Sequence, residues 1–136
     1  MAEAVMRDLI EKRGLTSQIK VDSAGTSNYH IGDSPHKGTK AKLQEFGIST
    51  SGMQARQLRT SDLAFDYIVC MDSSNVKNTI EMLRAEENAK VFRFLDLTSH
   101  KKDVPDPWYT GDFQETYELS VEGCEALLAR IMEDMK

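Results

Sequence analysis

Asp66-Tyr67-Ile68-Val69-Cys70-Met71-Asp72-Ser73 is the stretch of sequence that decides the fold. Its apolar centre, Tyr67 to Met71, is continuous rather than alternating, as in a parallel strand that is covered on both faces. Asp72 and Ser73 are typical N-cap residues of a helix, and the apolar residues that follow them share one helical stripe: Val76, Ile80 and Leu83. A strand that leads directly into a helix predicts an α/β protein.

Weaker patterns on the N-terminal side extend this alternation of helices and strands. We predict a helix from Ala2 to Arg13, a strand from Gln18 to Asp22, and a second helix that starts near Ser34-Pro35 and ends at Gly47. One helical turn, from Ser61 to Phe65, should precede the central strand. The residues predicted to face the core are Val5, Met6, Leu9 and Ile10 from the first helix, and Leu43 and Phe46 from the second.

On the C-terminal side, we predict a strand from Lys90 to Leu95 and a polar loop from Asp96 to Gly111. Asp112 and Glu115 then have the spacing of a capping box, which predicts the start of a C-terminal helix. The residues predicted to face the core from this helix are Phe113, Tyr117, Val121, Cys124, Leu128 and Ile131.

Together these elements predict a single domain, residues 1–136, built as a three-layer α/β sandwich in which helices flank a small parallel sheet. Such folds normally open with a central strand, whereas this sequence opens with a helix, so we expect the first central strand to be missing. Its two neighbours would stand about 10 Å apart, too far to hydrogen-bond. Because unpaired strand edges invite association, we expect a partly disordered or aggregating protein.

Composition and charge argue against several functional classes. The chain has 136 residues and a net charge of −5, whereas nucleic-acid-binding proteins usually carry a basic face. Its longest apolar run, Tyr67 to Met71, is far too short to span a membrane, and no apolar export signal opens the chain. Cys70 and Cys124 both lie in apolar patterns, which favours reduced thiols and a cytoplasmic protein.

The loop Asp103-Val104-Pro105-Asp106-Pro107-Trp108-Tyr109 is the segment most suggestive of chemistry. Two prolines stiffen the backbone around Asp106, and two aromatic residues follow it. A carboxyl group beside aromatic rings suits a general acid, because partial desolvation raises its pKa and keeps it protonated. The alternative is a surface turn in which Asp106 and the prolines serve only local geometry.

Other candidate positions carry weaker signals. Ser23 lies in a turn after a predicted strand, at the edge where ligands bind in α/β sheets, although such turns are often only structural. Tyr29 lies in a polar loop and is either a recognition platform or plain surface, while Asp72 favours a helix cap over a catalyst. The histidines and cysteines lack metal-ligand spacing, so we predict no metal and no cofactor.

Several segments, in order along nearly the whole chain, resemble the low-molecular-weight protein-tyrosine phosphatases. They are Met1-Ala2-Glu3-Ala4-Val5, Val21-Asp22-Ser23-Ala24-Gly25-Thr26-Ser27, Ala55-Arg56-Gln57-Leu58, Phe65 to Asp72, the loop Asp103 to Tyr109, and the ending Tyr117 to Leu128.

This resemblance implies two-step hydrolysis of phosphotyrosine in proteins, or of small aryl phosphates. In that family a cysteine thiolate attacks phosphorus and an aspartic acid, here matched by Asp106, protonates the leaving phenol. Ser23 matches a serine that hydrogen-bonds the phosphate loop, and Asp72 matches a supporting aspartate. The residues that match the walls and rim of the substrate slot are Tyr29, Trp108 and Tyr109.

One part of the family pattern is absent, namely the C-x-x-x-x-x-R-S phosphate loop with its nucleophile, which would precede Met1. Cys124 to Arg130 fits the cysteine–arginine spacing, but the residues between are strong helix formers, whose amides bond within a helix rather than to a phosphate. Cys70 lies in a predicted buried strand. We therefore expect the chain as given to lack a nucleophile and to be inactive.

Three interpretations remain open from the sequence. The first is a family phosphatase whose sequence has been started at an internal methionine, so that the upstream DNA encodes the missing loop. The second is a noncatalytic phosphatase-like protein that interacts through Tyr29 and Trp108. The third is an arsenate-reductase relative, which is disfavoured because that chemistry needs a relay of additional cysteines.

Overall fold

The computed structural model describes residues 1–26, 32–83 and 91–136, apart from the side chain of Trp108. The helices are α1 (Ala2–Lys12), α2 (Lys37–Glu45), α3 (Ser73–Leu83), α4 (Pro107–Thr110) and α5 (Phe113–Asp134). The strands are β1 (Ile68–Cys70) and β2 (Val91–Arg93), and two short 3-10 helices span Thr60–Ala64 and Phe94–Leu97.

Within the described residues the sheet consists of β1 and β2, which pair in parallel with Ile68 opposite Val91 and Cys70 opposite Arg93. The chain passes from β1 to β2 through α3, which packs on both strands. This is the strand–helix–strand unit that the continuous apolar run indicated, because a parallel pair needs a long crossover connection. The predicted α/β fold with a small parallel sheet is confirmed.

The main core lies between α5 and the elements packed on it, which are α1, α2 and the 3-10 helix Phe94–Leu97. On α1 the predicted apolar face is confirmed, with Val5, Met6 and Ile10 buried and Leu9 packed at the edge of the core. The largest fully buried side chains are Phe94, Leu43, Leu83, Leu95 and Leu128.

The predicted strand from Gln18 to Asp22 is wrong. Among the described residues these five form no ladder, and the nearest pairing is an isolated parallel bridge between Gly25 and Gln57. An extended segment becomes a strand only when a neighbouring backbone lies within hydrogen-bonding distance. Here an open groove separates the segment from β1, so it has no such neighbour.

The predicted strand Lys90 to Leu95 is confirmed only in part, and Lys90 itself lies outside the described residues. β2 ends at Arg93, and Phe94 and Leu95 enter the 3-10 helix instead. Both side chains are thereby buried together in the core, at 1% and 0% exposure. A continuing strand would alternate its side chains and could not bury both on one face.

Two details of the predicted helix faces are also corrected. Phe46 is 44% exposed because it lies at the C-cap of α2, where it stacks on Tyr117 with ring centroids 4.0 Å apart. The most buried positions of α5 are Thr116, Leu119, Ser120, Gly123, Cys124, Leu127 and Leu128. Tyr117, Val121 and Ile131 flank the core, and Phe113 is half-buried.

The start of α5 contains half of the predicted capping box. The Asp112 carboxylate accepts a hydrogen bond from the Glu115 N–H at 2.9 Å. The Asp112 N–H donates to Thr110 Oγ1 at 3.1 Å rather than to the Glu115 side chain. Thr110 ends α4 two residues before this N-cap, so its hydroxyl takes the place of the glutamate.

No helix among the described residues combines the length and the apolar character needed to cross a lipid bilayer.

The ring of Phe94 lies directly on Gly123 of α5, where an added Cβ would stand 2.2 Å from ring carbons. Because Phe94 is 1% exposed, it has no space to retreat. We expect Gly123→Ala to lower the free energy of unfolding by about 1–3 kcal/mol, although alanine is the better helix former. Urea denaturation measures this change.

Gly38→Ala is the matched control for that substitution. An added Cβ at Gly38 would meet the ring of Phe113 at 2.5 Å, but Phe113 is only half-buried and can turn toward solvent. We expect a smaller loss at Gly38. A gain of stability in Gly123→Ala, or equal losses at the two positions, would contradict this packing.

Candidate functional site

The carboxyl end of β1 is tied to the loop that carries the candidate acid. The Met71 carbonyl accepts a hydrogen bond from the Val104 N–H at 2.8 Å. The next residue, Asp72, accepts from the Asn75 N–H at 2.7 Å and so caps α3. The interpretation of Asp72 as a helix cap is confirmed. Because Asp72 directly follows Met71, this cap lies beside the loop that contains Val104.

Asp103 anchors the same loop by a second set of contacts. Its Oδ1 accepts hydrogen bonds from the Ser73 N–H at 2.9 Å, the Ser73 hydroxyl at 3.0 Å and Arg93 Nη1 at 3.0 Å. The Arg93 guanidinium, aided by the Ser73 N–H, holds the pKa of Asp103 below its usual range. Arg93 also bonds Asp96 Oδ1 and the Lys101 carbonyl, both at 2.8 Å through Nη2, so one guanidinium gathers the start of the loop.

Asp106 lies at the exposed end of this anchored loop, directly before α4. Its carbonyl accepts from the Tyr109 N–H at 3.0 Å and the Thr110 N–H at 3.2 Å, which starts the helix. The Asp106 side chain is exposed, and Tyr109 is 85% exposed. Among the described residues the enclosed carboxyl group expected from the sequence is not observed, and the general-acid role stays a prediction. Trp108 lies in α4 but its side chain is outside the described part, and Tyr29 is outside it altogether.

An open groove of about 980 Å³ lies between the segment Gln18–Thr26 and β1. Ser23 is on its wall, and the Ser23 hydroxyl donates to the carboxylate of Glu3. Glu3 is buried at 8% exposure and also pairs with Arg7 at 2.8 Å. Ser23 is therefore held against α1, and its predicted contact with a phosphate loop stays a prediction.

Arg56 fixes the far wall of this groove. Its Nη1 and Nη2 bond the two carboxylate oxygens of Asp62 at 2.9 and 3.0 Å, and its Nε bonds Asp22 at 3.0 Å. Asp62 is 5% exposed and also accepts the Arg59 N–H at 2.9 Å. The hydrogen bonds from Arg56 lower the pKa of Asp62, which stays ionised. The backbone of Arg56 adds a bond from the Gly25 N–H at 2.9 Å, so side chain and backbone hold one wall together.

Both thiols are buried and poorly acidic. Cys70 on β1 donates its S–H toward Thr79 Oγ1 at 3.6 Å, and burial raises its pKa despite this contact. Cys124 in α5 donates toward the Ala2 carbonyl at 3.5 Å, and burial raises its pKa to about 12. Among the residues that the structure describes, no group of three His, Cys, Asp or Glu side chains could hold a metal ion.

Sequence reasoning missed the residues that brace the site. The Glu3–Arg7 and Arg93–Asp96 pairs have four- and three-residue spacings that a helix or turn would bring together. The Arg56–Asp62 pair had no such signal, because it joins a loop to a 3-10 helix. In the sequence, Arg56 belongs only to the family-like segment Ala55-Arg56-Gln57-Leu58.

Comparisons with known proteins agree along the whole chain. A family model described as low molecular weight phosphotyrosine protein phosphatase matches residues 1–136. The chain is 47% identical to the low molecular weight protein-tyrosine-phosphatase YfkJ of Bacillus subtilis (strain 168) over 137 residues, which cover 98% of this chain and 88% of that protein. The crystal structure of YfkJ superposes with a TM-score of 0.94 at 45% identity, covering 99% of this chain and 87% of that one.

A more distant solved structure gives the same match. The crystal structure of a protein tyrosine phosphatase from Entamoeba histolytica, with Hepes in its active site, superposes with a TM-score of 0.88 at 30% identity. The match covers 99% of this chain and 89% of that chain.

We expect Asp62→Asn to lower the free energy of unfolding at pH 7 by roughly 2–4 kcal/mol, because it leaves Arg56 without its main partner. This is less than for a fully buried pair, since the Arg56 side chain is 23% exposed. Folding lowers the pKa of Asp62, so its stabilisation is present above about pH 4 and is lost as the pH falls through the folded-state pKa. The difference between the two proteins should therefore shrink below about pH 4.

Urea denaturation at pH 7, 5 and 3.5 tests this pH dependence. Asp66→Asn is the control, because Asp66 is an exposed aspartate four residues away and should change stability by at most about 0.5 kcal/mol. A difference between the natural protein and Asp62→Asn that stays constant across this pH range would contradict the assigned role of the carboxylate.

Proposed function

The chain belongs to the low molecular weight phosphotyrosine protein phosphatase family, and we propose that its 136 residues supply the proton donor and framework of that active site without an attacking group. The family hydrolyses phosphate monoesters of tyrosine. The observation that carries the proposal is the burial of both thiols, with 5% of Cys70 and 1% of Cys124 exposed.

Cys124 is unsuited to attack phosphorus because the attacking species is the thiolate. With a pKa of about 12, roughly one Cys124 side chain in 10⁵ is ionised at pH 7. The residue lies inside α5, whose backbone amides are bonded along the helix and cannot turn toward a phosphate. Its spacing of six from Arg130 therefore has no catalytic meaning.

Cys70 fails for a related reason. It lies at the end of β1, where burial opposes ionisation and its S–H contacts Thr79 rather than a cation or a free amide. A nucleophilic thiolate in a phosphatase needs a positive environment, which also binds the phosphate. Neither arginine of the two bracing clusters supplies one, because Arg56 and Arg93 are each engaged by carboxylates.

The acid side of the reaction is better supported. Asp106 lies two residues after Val104, whose N–H is bonded to the end of β1, and three residues after Asp103, which Arg93 and Ser73 hold. The loop is therefore anchored at the sheet edge where ligands bind in parallel α/β proteins. Asp106 would protonate the leaving phenol of a phosphotyrosine protein or small aryl phosphate.

The substrate's aromatic ring would lie beside the residues that follow this acid. Tyr109 lies in α4 and is almost fully exposed. An exposed aromatic ring suits a contact that is made only when substrate is present. We assign Trp108 and Tyr29 to the same slot by family position. Ser23 and Asp72 would support the phosphate loop.

An arsenate-reductase activity is not favoured. That chemistry passes oxidation along a relay of accessible thiols, and this chain has two cysteines, both buried.

We expect the purified 136-residue chain to hydrolyse p-nitrophenyl phosphate no faster than its Cys70→Ser, Cys124→Ser double variant, because neither thiol can attack. Release of p-nitrophenolate measures the rate, and YfkJ of Bacillus subtilis serves as the positive control for the assay. Vanadate-sensitive turnover that disappears on replacing either cysteine would refute the proposal.

A further inference from the structure

The segment around Asp106 is poorly suited to hold its own position. Pro105 and Pro107 lack N–H groups, so neither can donate a backbone hydrogen bond. α4, which follows Asp106, has four residues and is too short to be a stable helix by itself. Thr116 Oγ1 lies 3.4 Å from the Pro105 carbonyl, which is longer than an ordinary hydroxyl hydrogen bond. The part of the loop before Asp106 therefore has a large share in setting its position.

One guanidinium group holds that preceding part. Arg93 is the last residue of β2, and all three of its guanidinium nitrogens donate hydrogen bonds. Nη1 donates to Asp103 Oδ1 at 3.0 Å and to the Ser73 hydroxyl at 3.2 Å. Nη2 donates to the Lys101 carbonyl and to Asp96 Oδ1, both at 2.8 Å, and Nε donates to Asp96 Oδ1 at 3.1 Å. Arg93 thus joins the end of the sheet to the loop and to the first residue of α3.

Lys101 is the point at which this support offsets backbone strain. Its φ of 46° is left-handed, and within the described residues it is the only residue other than glycine with a positive φ. This conformation is unfavourable for lysine because Cβ crowds the backbone, and it persists only where surrounding contacts hold it. The Lys101 N–H donates to the Leu95 carbonyl at 3.3 Å, and the Lys101 carbonyl accepts from Arg93 at 2.8 Å. Loss of the shorter bond would let the loop relax toward an ordinary backbone conformation.

Such a relaxation would displace Asp106. Lys101 lies five positions before Asp106, and Asp103 lies three positions before it. A general acid must stand within about 2.6–3.2 Å of the atom that it protonates. An error of about 1 Å in the position of a catalytic group can lower a rate about a hundredfold. The contacts of Arg93 are therefore close enough along the chain to decide whether Asp106 is correctly placed.

We propose that Arg93 is a positioning residue for Asp106, because by holding Lys101 and Asp103 it fixes the loop conformation from which the Asp106 carboxyl would reach a leaving phenol. The geometry of the guanidinium fork is essential to this role. A lysine would keep the charge, but its single ammonium group cannot reach all the acceptors of Arg93 at once. The catalytic meaning of this inference rests on the proposed role of Asp106, whereas the hold of Arg93 on the loop is measured without turnover.

Backbone nitrogen-15 relaxation of the 136-residue chain and of its Arg93→Lys variant tests this assignment. We expect the order parameters of Lys102 and Asp106 to fall from about 0.85, typical of a rigid backbone, to below about 0.6 in the variant. The order parameters of α1 and α5 should stay the same. A purely structural role for Arg93 would instead lower the urea midpoint of unfolding and leave the order of Asp106 unchanged.

Two control variants separate the contacts of Arg93 from other anchors. Glu122→Gln weakens the 2.9 Å contact between Glu122 and His100, which directly precedes Lys101 in the same loop. Arg56→Lys makes the same substitution at an arginine that also pairs with two aspartates, but at the wall of the groove. Both variants should leave the order of Asp106 unchanged, and Arg56→Lys should lower the urea midpoint.

A measurement on the unsubstituted chain covers the case in which Arg93→Lys fails to fold. The side-chain Nε–H of Arg93 should have an order parameter of about 0.85, whereas that of the exposed Arg13 should be below about 0.6. A mobile Arg93 side chain, an Asp106 that stays ordered in Arg93→Lys, or an equal loss of order in either control variant would overturn the proposal. Turnover of p-nitrophenyl phosphate tests the proposed function separately, because the order of the loop does not depend on a nucleophile.

Discussion

The parallel pairing of β1 with β2 is the constraint on which the rest of the structure depends. Because α3 carries the chain from one strand to the other, both strands end at the same edge of the sheet. The residues after β1 cap α3, and Arg93 at the end of β2 reaches across to Asp103. The loop with Asp106 is thus attached to the sheet edge from two directions.

The same pairing leaves the groove on the other side of β1, facing the segment from Gln18 to Thr26. Among the described residues β1 pairs with β2 alone, and α3 packs on both strands. The wall from Gln18 to Thr26 stays in place without a ladder because Arg56 and Asp62 hold it from behind. Side-chain hydrogen bonds thus fix this segment in place of the backbone hydrogen bonds of a sheet.

Both arginines that brace the loops are paired with carboxylates. In a chain with a net charge of −5, Arg56 lies between Asp22 and Asp62, and Arg93 lies between Asp96 and Asp103. These guanidinium groups are neutralised within the protein and are committed to loop geometry. Neither guanidinium is therefore available to hold a phosphate group.

The sequence predicted those elements whose pattern reflects local chemistry. The run around Val69, the stripe of α1 and the Asp112 cap were all readable because hydrophobic period and capping depend on near neighbours. The segment Gln18–Asp22 was mistaken for a strand because pairing depends on a distant partner. The burial of Phe94 and the pairing of Arg56 with Asp62 were missed for the same reason, because both depend on tertiary contacts. At the site, the sequence predicted the Asp72 cap and proposed Asp106 from its motif, but it did not indicate the braces Arg56 and Glu3.

The central claim is that neither thiol of these residues can act as the attacking group, and the pH dependence of cysteine alkylation tests it most directly. Iodoacetamide labelling of the native chain, followed by mass spectrometry, gives a rate for Cys70 and for Cys124 at each pH. We predict slow labelling at both positions, with a rate that is still rising at pH 9, because burial raises both pKa values. Rapid labelling of either cysteine that has already reached its plateau at pH 6 would reveal a stabilised thiolate and contradict the account.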